Sequence, residues 1–244
     1  MEIKTIGIIG YGDFGRFLFD LAKERLPRCV TKVYSTSHEA DGEIFFTLEE
    51  VCEADLLFVC VPIAAFAEVI EKIAPLLGEH TVVCDVATVK THTVEVLKAN
   101  RIPRYIATHP MFGPYSYAKQ GKSLQGLRIA LCDSTLAPAE LAAAKAILMG
   151  AGLKVLEITA EVHDRLIAET LFVTHLVGQT VTRGGFTRTE IDTVSFGFLM
   201  DAVESVAHDE ALFKDVYRYN PYCKEVLARY EKAEREVTGS ILAP

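Results

Sequence analysis

Apolar positions through the first 158 residues fall into short, nearly continuous runs separated by longer stretches with helical spacing. Residues 5–9, Thr-Ile-Gly-Ile-Ile, form the first run and are closed by glycine, which predicts a buried strand. Phe14, Phe17, Leu18, Leu21 and Ala22 then recur at three- and four-residue intervals, the spacing of an amphipathic helix over 14–26. Further strand-like runs occupy 32–34, 56–61, 81–86 and 104–107, with helical stretches at 63–77 and 90–99. Residues 127–132, an alanine-rich stretch at 137–150 and residues 153–158 read as another strand–helix–strand unit. Strands alternating with helices predict a parallel sheet covered on both faces.

After residue 159 the strand pattern stops. Thr159 is placed to cap a long apolar helix running to about 182, with Glu161 in its first turn and Gly184-Gly185 at its end. The remainder reads as helices with polar faces over 189–208, 209–219 and 221–237. The expected boundary is therefore near residue 155, with an α/β domain over 1–155 and an all-helical substrate and dimerisation domain over 156–244.

Composition narrows the function classes. Half of the 244 residues are apolar and about a quarter charged, an ordinary globular balance. A formal net charge of −8 argues against nucleic acid as a partner, since duplexes need clustered Lys and Arg. No apolar run reaches the roughly 18 residues of a membrane span, and the N-terminus enters a strand without a signal-peptide pattern. The six cysteines are scattered, and three lie in strand-like runs, which suits free thiols in a reducing compartment. A cytoplasmic protein is expected, with no membrane partner and no metal.

The first strand is followed by Gly10-Tyr-Gly12-Asp13-Phe14-Gly15, and this loop opens the first helix. Strand, glycine pattern and helix in that order are the context a dinucleotide-binding fingerprint requires. Gly10 allows the tight turn, Gly12 lets the backbone approach a pyrophosphate, and Gly15 lets helix and strand pack closely. The fold expected is thus Rossmann-type: a doubly wound, mostly parallel sheet with an all-helical C-terminal domain. Asp13 and Phe14 within the loop and Val61 at the end of the third strand are further expected cofactor contacts. Where the second strand ends, an acidic residue would hold the ribose of NAD, but this chain has Ser35-Thr36-Ser37-His38. Small hydroxyls there leave room for a 2′-phosphate and no carboxylate repels it, so NADP is favoured, with NAD still possible.

The catalytic candidates lie at later strand ends. Residues 84–90, Cys-Asp-Val-Ala-Thr88-Val-Lys90, close one parallel strand, and His109 closes another 21 residues beyond Thr88. In a doubly wound sheet both ends can face the crevice where nicotinamide and substrate meet. Histidine is also the side chain most easily tuned to take a proton near neutral pH. Lys90 reads equally as a cation for a substrate carboxylate or as a helix-start residue. His163 and His175 lie twelve residues apart on the long helix, so they point in directions about 120° apart and at most one faces substrate. His38, His80, His92 and His208 read as surface or structural.

Taken together, the glycine loop, Asp85-Val-Ala-Thr-Val-Lys90, Thr108-His-Pro-Met-Phe-Gly-Pro114, His163-Asp164, Thr174-His-Leu-Val-Gly178 and the tail around residues 203–209 and 219–220 resemble the prephenate/arogenate dehydrogenase family, most like its plant-type arogenate branch. The resemblance implies oxidative decarboxylation with hydride transfer to the nicotinamide. It gives His109 the role of deprotonating the ring hydroxyl, Thr88 that of holding it in place of the family's serine, and His175 that of binding substrate. Glu204 stands where prephenate-specific members carry an arginine. A carboxylate there would pair with the arogenate ammonium and repel the keto acid of prephenate.

The function implied is NADP-dependent conversion of arogenate to tyrosine and CO₂ by a homodimer. A prephenate dehydrogenase making 4-hydroxyphenylpyruvate is the alternative. A β-hydroxyacid dehydrogenase would be expected to use a lysine on the long helix, which offers none, and a non-catalytic nucleotide sensor would not need His109, Thr88 and His175 together.

Overall fold

The computed structural model describes residues 3–242. Among them, seven strands form one sheet: β1 (Thr5–Ile9), β2 (Val30–Tyr34), β3 (Leu56–Val59), β4 (Val82–Asp85), β5 (Tyr105–Pro110), β6 (Arg128–Ser134) and β7 (Lys154–Glu157). Their order is β2-β1-β3-β4-β5-β6-β7, and every neighbouring pair is parallel except β5 with β6. From β1 the chain moves outward to β2 and then returns to place β3 on the other side of β1. Such a reversal opens the crevice at the carboxyl ends of the strands where this class of sheet takes its ligands.

Both faces of the sheet are covered, which explains the continuous apolar runs. Ile6 and Ile8 of β1 pack with Phe19 and Ala22 of α1 (Asp13–Arg25). Ile9, Leu57 and Val59 share a second cluster with Phe66, Ile70 and Ile73 of α3 (Ile63–Ile73) and with Val94 and Leu97 of α4 (Lys90–Ala99). Phe66, Ile70 and Ile73 are wholly buried, and each contributes about 1.5–3 kcal/mol on leaving water.

Two short helices escape the apolar pattern. In α2 (Leu48–Cys52), the Glu50 amide donates to Thr47 Oγ1 at 3.3 Å and the Thr47 amide donates to Glu50 Oε2 at 2.9 Å. This reciprocal cap satisfies two amides that a five-residue helix would otherwise leave open. The other, α5 (Pro114–Lys119), starts on a proline whose fixed φ suits a first turn.

The helical region departs from its expected outline in three places. Thr159 does cap α7 (Ala160–Ile167), accepting from the Val162 amide at 3.2 Å. The long helix, however, passes through a π-helical segment, Ala168–Phe172, before continuing as α8 (Val173–Arg183). Next, α9 (Val194–Val206) begins later than expected, because Asp192 Oδ1 draws residues 189–192 into a turn and Thr193 then caps the helix. After α10 (Glu210–Tyr219), α11 (Cys223–Leu242) runs past residue 237.

The chain divides into two compact units, the first ending at His163 and the second beginning at Asp164. Residue 155, the expected boundary, lies inside β7. All six cysteines are free thiols, and among the described residues no helix is long and apolar enough to cross a membrane.

Candidate active site

The glycine turn sits at the sheet's reversal. Gly10 has φ +98°, a left-handed conformation that side chains rarely adopt, and a Cβ there would run into the Cys60 carbonyl and crowd Val61 Cγ1 at 3.2 Å. Gly15 is equally constrained by the Gly10 carbonyl beneath it. Gly12 is different: a Cβ would meet nothing within 4 Å, so its backbone faces open space where a diphosphate can approach. Asp13 and Phe14 follow in the first turn of α1, and Val61 lies just past β3. At the end of β2, Ser35 Oγ and Ser37 Oγ are 2.9 Å apart, and Ser37 Oγ is 3.0 Å from His38 Nδ1. These groups fit a nicotinamide dinucleotide.

Two strands along, β4 and β5 run in register with Asp85 opposite Ala107, which brings Thr88 and His109 beyond the same edge. The pairing of β5 with β6 slips between Ala107 and Thr108, immediately before His109. Irregularities of this kind re-aim side chains. The slipped segment is pinned from below: buried Lys90 forms an ion pair with Asp85 and donates to the Thr108 carbonyl at 2.6 Å. The Asp85 carboxylate also accepts from Thr93 Oγ1 at 2.6 Å and the Ala87 amide at 2.8 Å, while Thr108 Oγ1 donates to the Asp85 carbonyl at 2.8 Å. Lys90 is thus committed to the interior rather than presented as a cation for substrate.

His109 is 5% exposed, and its Nδ1 lies 2.9 Å from Nε2 of His163, with the rings edge to face. Burial, then the neighbouring His163, then Lys90 hold the His109 pKa well below the ordinary 6.5. The imidazole is therefore neutral at physiological pH. In the tautomer of His109 that donates Nδ1–H to His163, the second nitrogen carries a lone pair and can accept a proton. Thr88 is half-buried in the turn after β4.

In the helical unit, His175 is buried on α8, with Nδ1 2.9 Å from the Leu171 carbonyl. Only a protonated Nδ1 can make that bond, so Nε2 is the acceptor in the neutral ring. It is buried with no hydrogen-bond partner, and the Asp209 carboxylate stands 3.7 Å away. Glu204 lies on the exposed side of α9, where Arg188 grips it through two bonds of 2.6 and 3.2 Å while also reaching Asp201 at 2.8 Å. Those two carboxylates raise the Arg188 pKa further above its ordinary value.

A family model described as the nucleotide-binding domain of prephenate dehydrogenase matches residues 38–157. "Arogenate dehydrogenase 2, chloroplastic" of Arabidopsis thaliana is 27% identical over 253 residues, covering 97% of this chain and 70% of that relative. Over residues 38–157 the chain matches the nucleotide-binding domain of the prephenate dehydrogenase family, and over nearly its whole length it is similar to arogenate dehydrogenase. Members of this family are NAD(P)-dependent dehydrogenases. The cyclohexadienyl dehydrogenase of Zymomonas mobilis is also similar, at 26% identity over 89% of this chain and 81% of its own length. Among solved structures, the prephenate dehydrogenase of A. aeolicus in complex with hydroxyphenyl propionate and NAD+ has a TM-score of 0.75 at 19% identity, with 99% of this chain and 92% of that chain covered.

Several neighbours of His109 in the first unit and of His175 in the second have roles that sequence pattern did not assign. Asp85 stands in the family-like string 85–90 and Asp209 in the family-like tail, but no spacing marks Asp85 and Thr93 as the surroundings of Lys90 or Asp209 as the neighbour of His175. His163 was visible as one of two histidines on a helix and in the family-like pair His163-Asp164; its pairing with His109 depends on tertiary structure.

Proposed function

We propose that the chain catalyses the NADP-dependent oxidative decarboxylation of arogenate to tyrosine and CO₂. The observation that carries the reading is the neutral, buried His109 at the end of β5, with one ring nitrogen held by His163 and the other suited to accept a proton. Gly10, Gly12 and Gly15 would hold the dinucleotide, with Ser35, Thr36 and Ser37 at its ribose. A bound nicotinamide supplies the hydride acceptor for the hydrogen on the ring carbon that bears the hydroxyl. His109 takes the hydroxyl proton as the carbonyl forms, and Thr88 steadies that oxygen. The ring–carboxylate bond then breaks, releasing CO₂, and its electron pair makes the ring aromatic as the carbonyl oxygen regains a proton. A positioned base contributes roughly 10²–10⁴-fold, and orientation supplies much of the rest.

Arogenate is favoured over prephenate by the acceptor nitrogen of His175 with Asp209 beside it, a pair suited to an ammonium and hostile to a keto acid. The name of the Arabidopsis relative supports the same choice. Glu204 fits this role less well, since Arg188 already neutralises much of its charge. Lys90 is read as holding the strand before His109. A homodimer is supported by large apolar side chains left exposed in the helical unit, among them Phe186, Ile191, Val194 and Phe198.

One experiment tests the reading: steady-state reduction of NADP and NAD with arogenate and prephenate side by side, on a preparation whose mass in solution is twice 26.9 kDa. The pair arogenate and NADP should give the highest kcat/KM. A higher value with prephenate would replace the substrate, and a higher value with NAD would replace the cofactor.

A further inference from the structure

The end of β2 carries hydroxyls but no cation at residues 35–37, and Lys32 is turned to the Glu50 carbonyl at 3.4 Å. A doubly charged phosphate bound only by neutral hydroxyls is poorly balanced, because bonds to anions gain most when the donor is itself charged. The glycine turn brings a cation close. The Gly10 amide donates to the Tyr34 carbonyl at 2.9 Å, so the turn and the end of β2 are joined. The next residue, Tyr11, is a hub. Arg16 donates through Nε to its carbonyl at 3.0 Å and lies over its ring, with the guanidinium carbon 5.4 Å from the centroid.

His38 reaches the same hub from the other chain segment. Its ring meets Tyr11 edge to face at 5.7 Å and stacks on Phe45 at 4.2 Å and 9°. Phe45 is held in turn because Asp41 Oδ1 accepts three successive amides, from Glu43, Ile44 and Phe45, each at 2.8 Å. His38 is therefore an exposed imidazole on a fixed platform, bonded to Ser37, which is bonded to Ser35. Arg16 is exposed as well, and the bond to Tyr11 engages only its Nε, leaving the two terminal nitrogens of the fork for a ligand.

We propose that Arg16, His38, Ser35 and Ser37 together form a 2′-phosphate site around Tyr11, with Arg16 of α1 supplying the cation that the β2 loop lacks. The inference rests on the NADP reading above and deepens it by naming which side chains would make the choice. Tyr11 fixes the guanidinium by both its carbonyl and its ring, which limits the rotamer entropy lost when a phosphate binds.

The test is calorimetric binding of adenosine 2′,5′-bisphosphate and of 5′-AMP, which differ only in the 2′-phosphate, to the intact protein and to Arg16→Gln and His38→Gln. The unaltered protein should bind the bisphosphate more tightly. Arg16→Gln should weaken that binding by about 10- to 100-fold, and His38→Gln by roughly 3- to 10-fold, with 5′-AMP affinity changing by less than about twofold in each. The NADP-to-NAD ratio of kcat/KM should fall in the same order. If the unaltered protein binds both nucleotides equally, the NADP reading and this site fail together. A preference that survives both substitutions leaves the NADP reading standing and overturns the site alone.

Discussion

His109 and His175 are both nearly inaccessible, 5% and 4% exposed, yet the two units hold them in opposite ways. At the carboxyl end of the sheet, the nitrogen of His109 that faces the protein meets a second imidazole, and the strand beneath is held through Lys90 of α4, which pairs with Asp85 of β4 and donates to the Thr108 carbonyl of β5. In the helical unit, His175 is fixed by one carbonyl a single turn earlier, and its far nitrogen is left without a partner. The first arrangement tunes proton affinity. The second fixes a direction for accepting a hydrogen bond and does little else. A sheet end can assemble a base from several segments of chain, whereas a helix presents a reader from within its own backbone.

The sharpest way to break the comparison is to cut the tie under His109. Lys90→Met should leave the Asp85 carboxylate unpaired in the interior and cost about 3–5 kcal/mol of stability, read from urea unfolding. Adding Asp85→Asn should recover part of that loss. A single substitution costing under about 1 kcal/mol would mean that the ion pair does not hold the strand.

Next in size is the base itself. His109→Ala should lower kcat by at least about 100-fold with little change in cofactor affinity. Because burial and two neighbouring groups depress its pKa, the imidazole resists protonation as pH falls, so the acid limb of the kcat/KM profile should lie below pH 6.5. Removing one of those neighbours with His163→Phe should move that limb upward. An acid limb at or above 6.5 in the unaltered enzyme would contradict the tuning.

The smallest effects separate the two candidate readers of the substrate. His175→Phe should raise KM for arogenate by roughly 10- to 100-fold and spare kcat, as expected for loss of a charge-assisted bond. Glu204→Gln should change kcat/KM by less than about threefold, since it breaks an exposed ion pair. The reverse ranking would return substrate choice to Glu204.

Much of the fold was legible because it is periodic. The paired apolar runs, the glycine turn and the alternation of strand with helix follow from local spacing, and Thr159 was recognisable as a cap. Other features depended on partners distant in the chain. Lys90 reads as an available cation until Asp85 and the Thr108 carbonyl are seen around it. Glu204 reads as a free carboxylate until Arg188, sixteen residues earlier, closes on it. The cap of α2 was present in Thr47 and Glu50 but had too short an apolar run behind it to stand out. The π-helical segment breaks no apolar spacing and has no proline to mark it.

The burial of Lys90 also has a practical consequence. A primary amine sealed between two strands cannot meet an acylating reagent while the strands stay together. Exposed lysines such as Lys98, Lys214 and Lys232 would be modified in the first moments, whereas Lys90 would wait for the sheet to part. Its labelling, followed by mass spectrometry under native conditions, is a clock for the opening of β4 from β5, set by the protein itself.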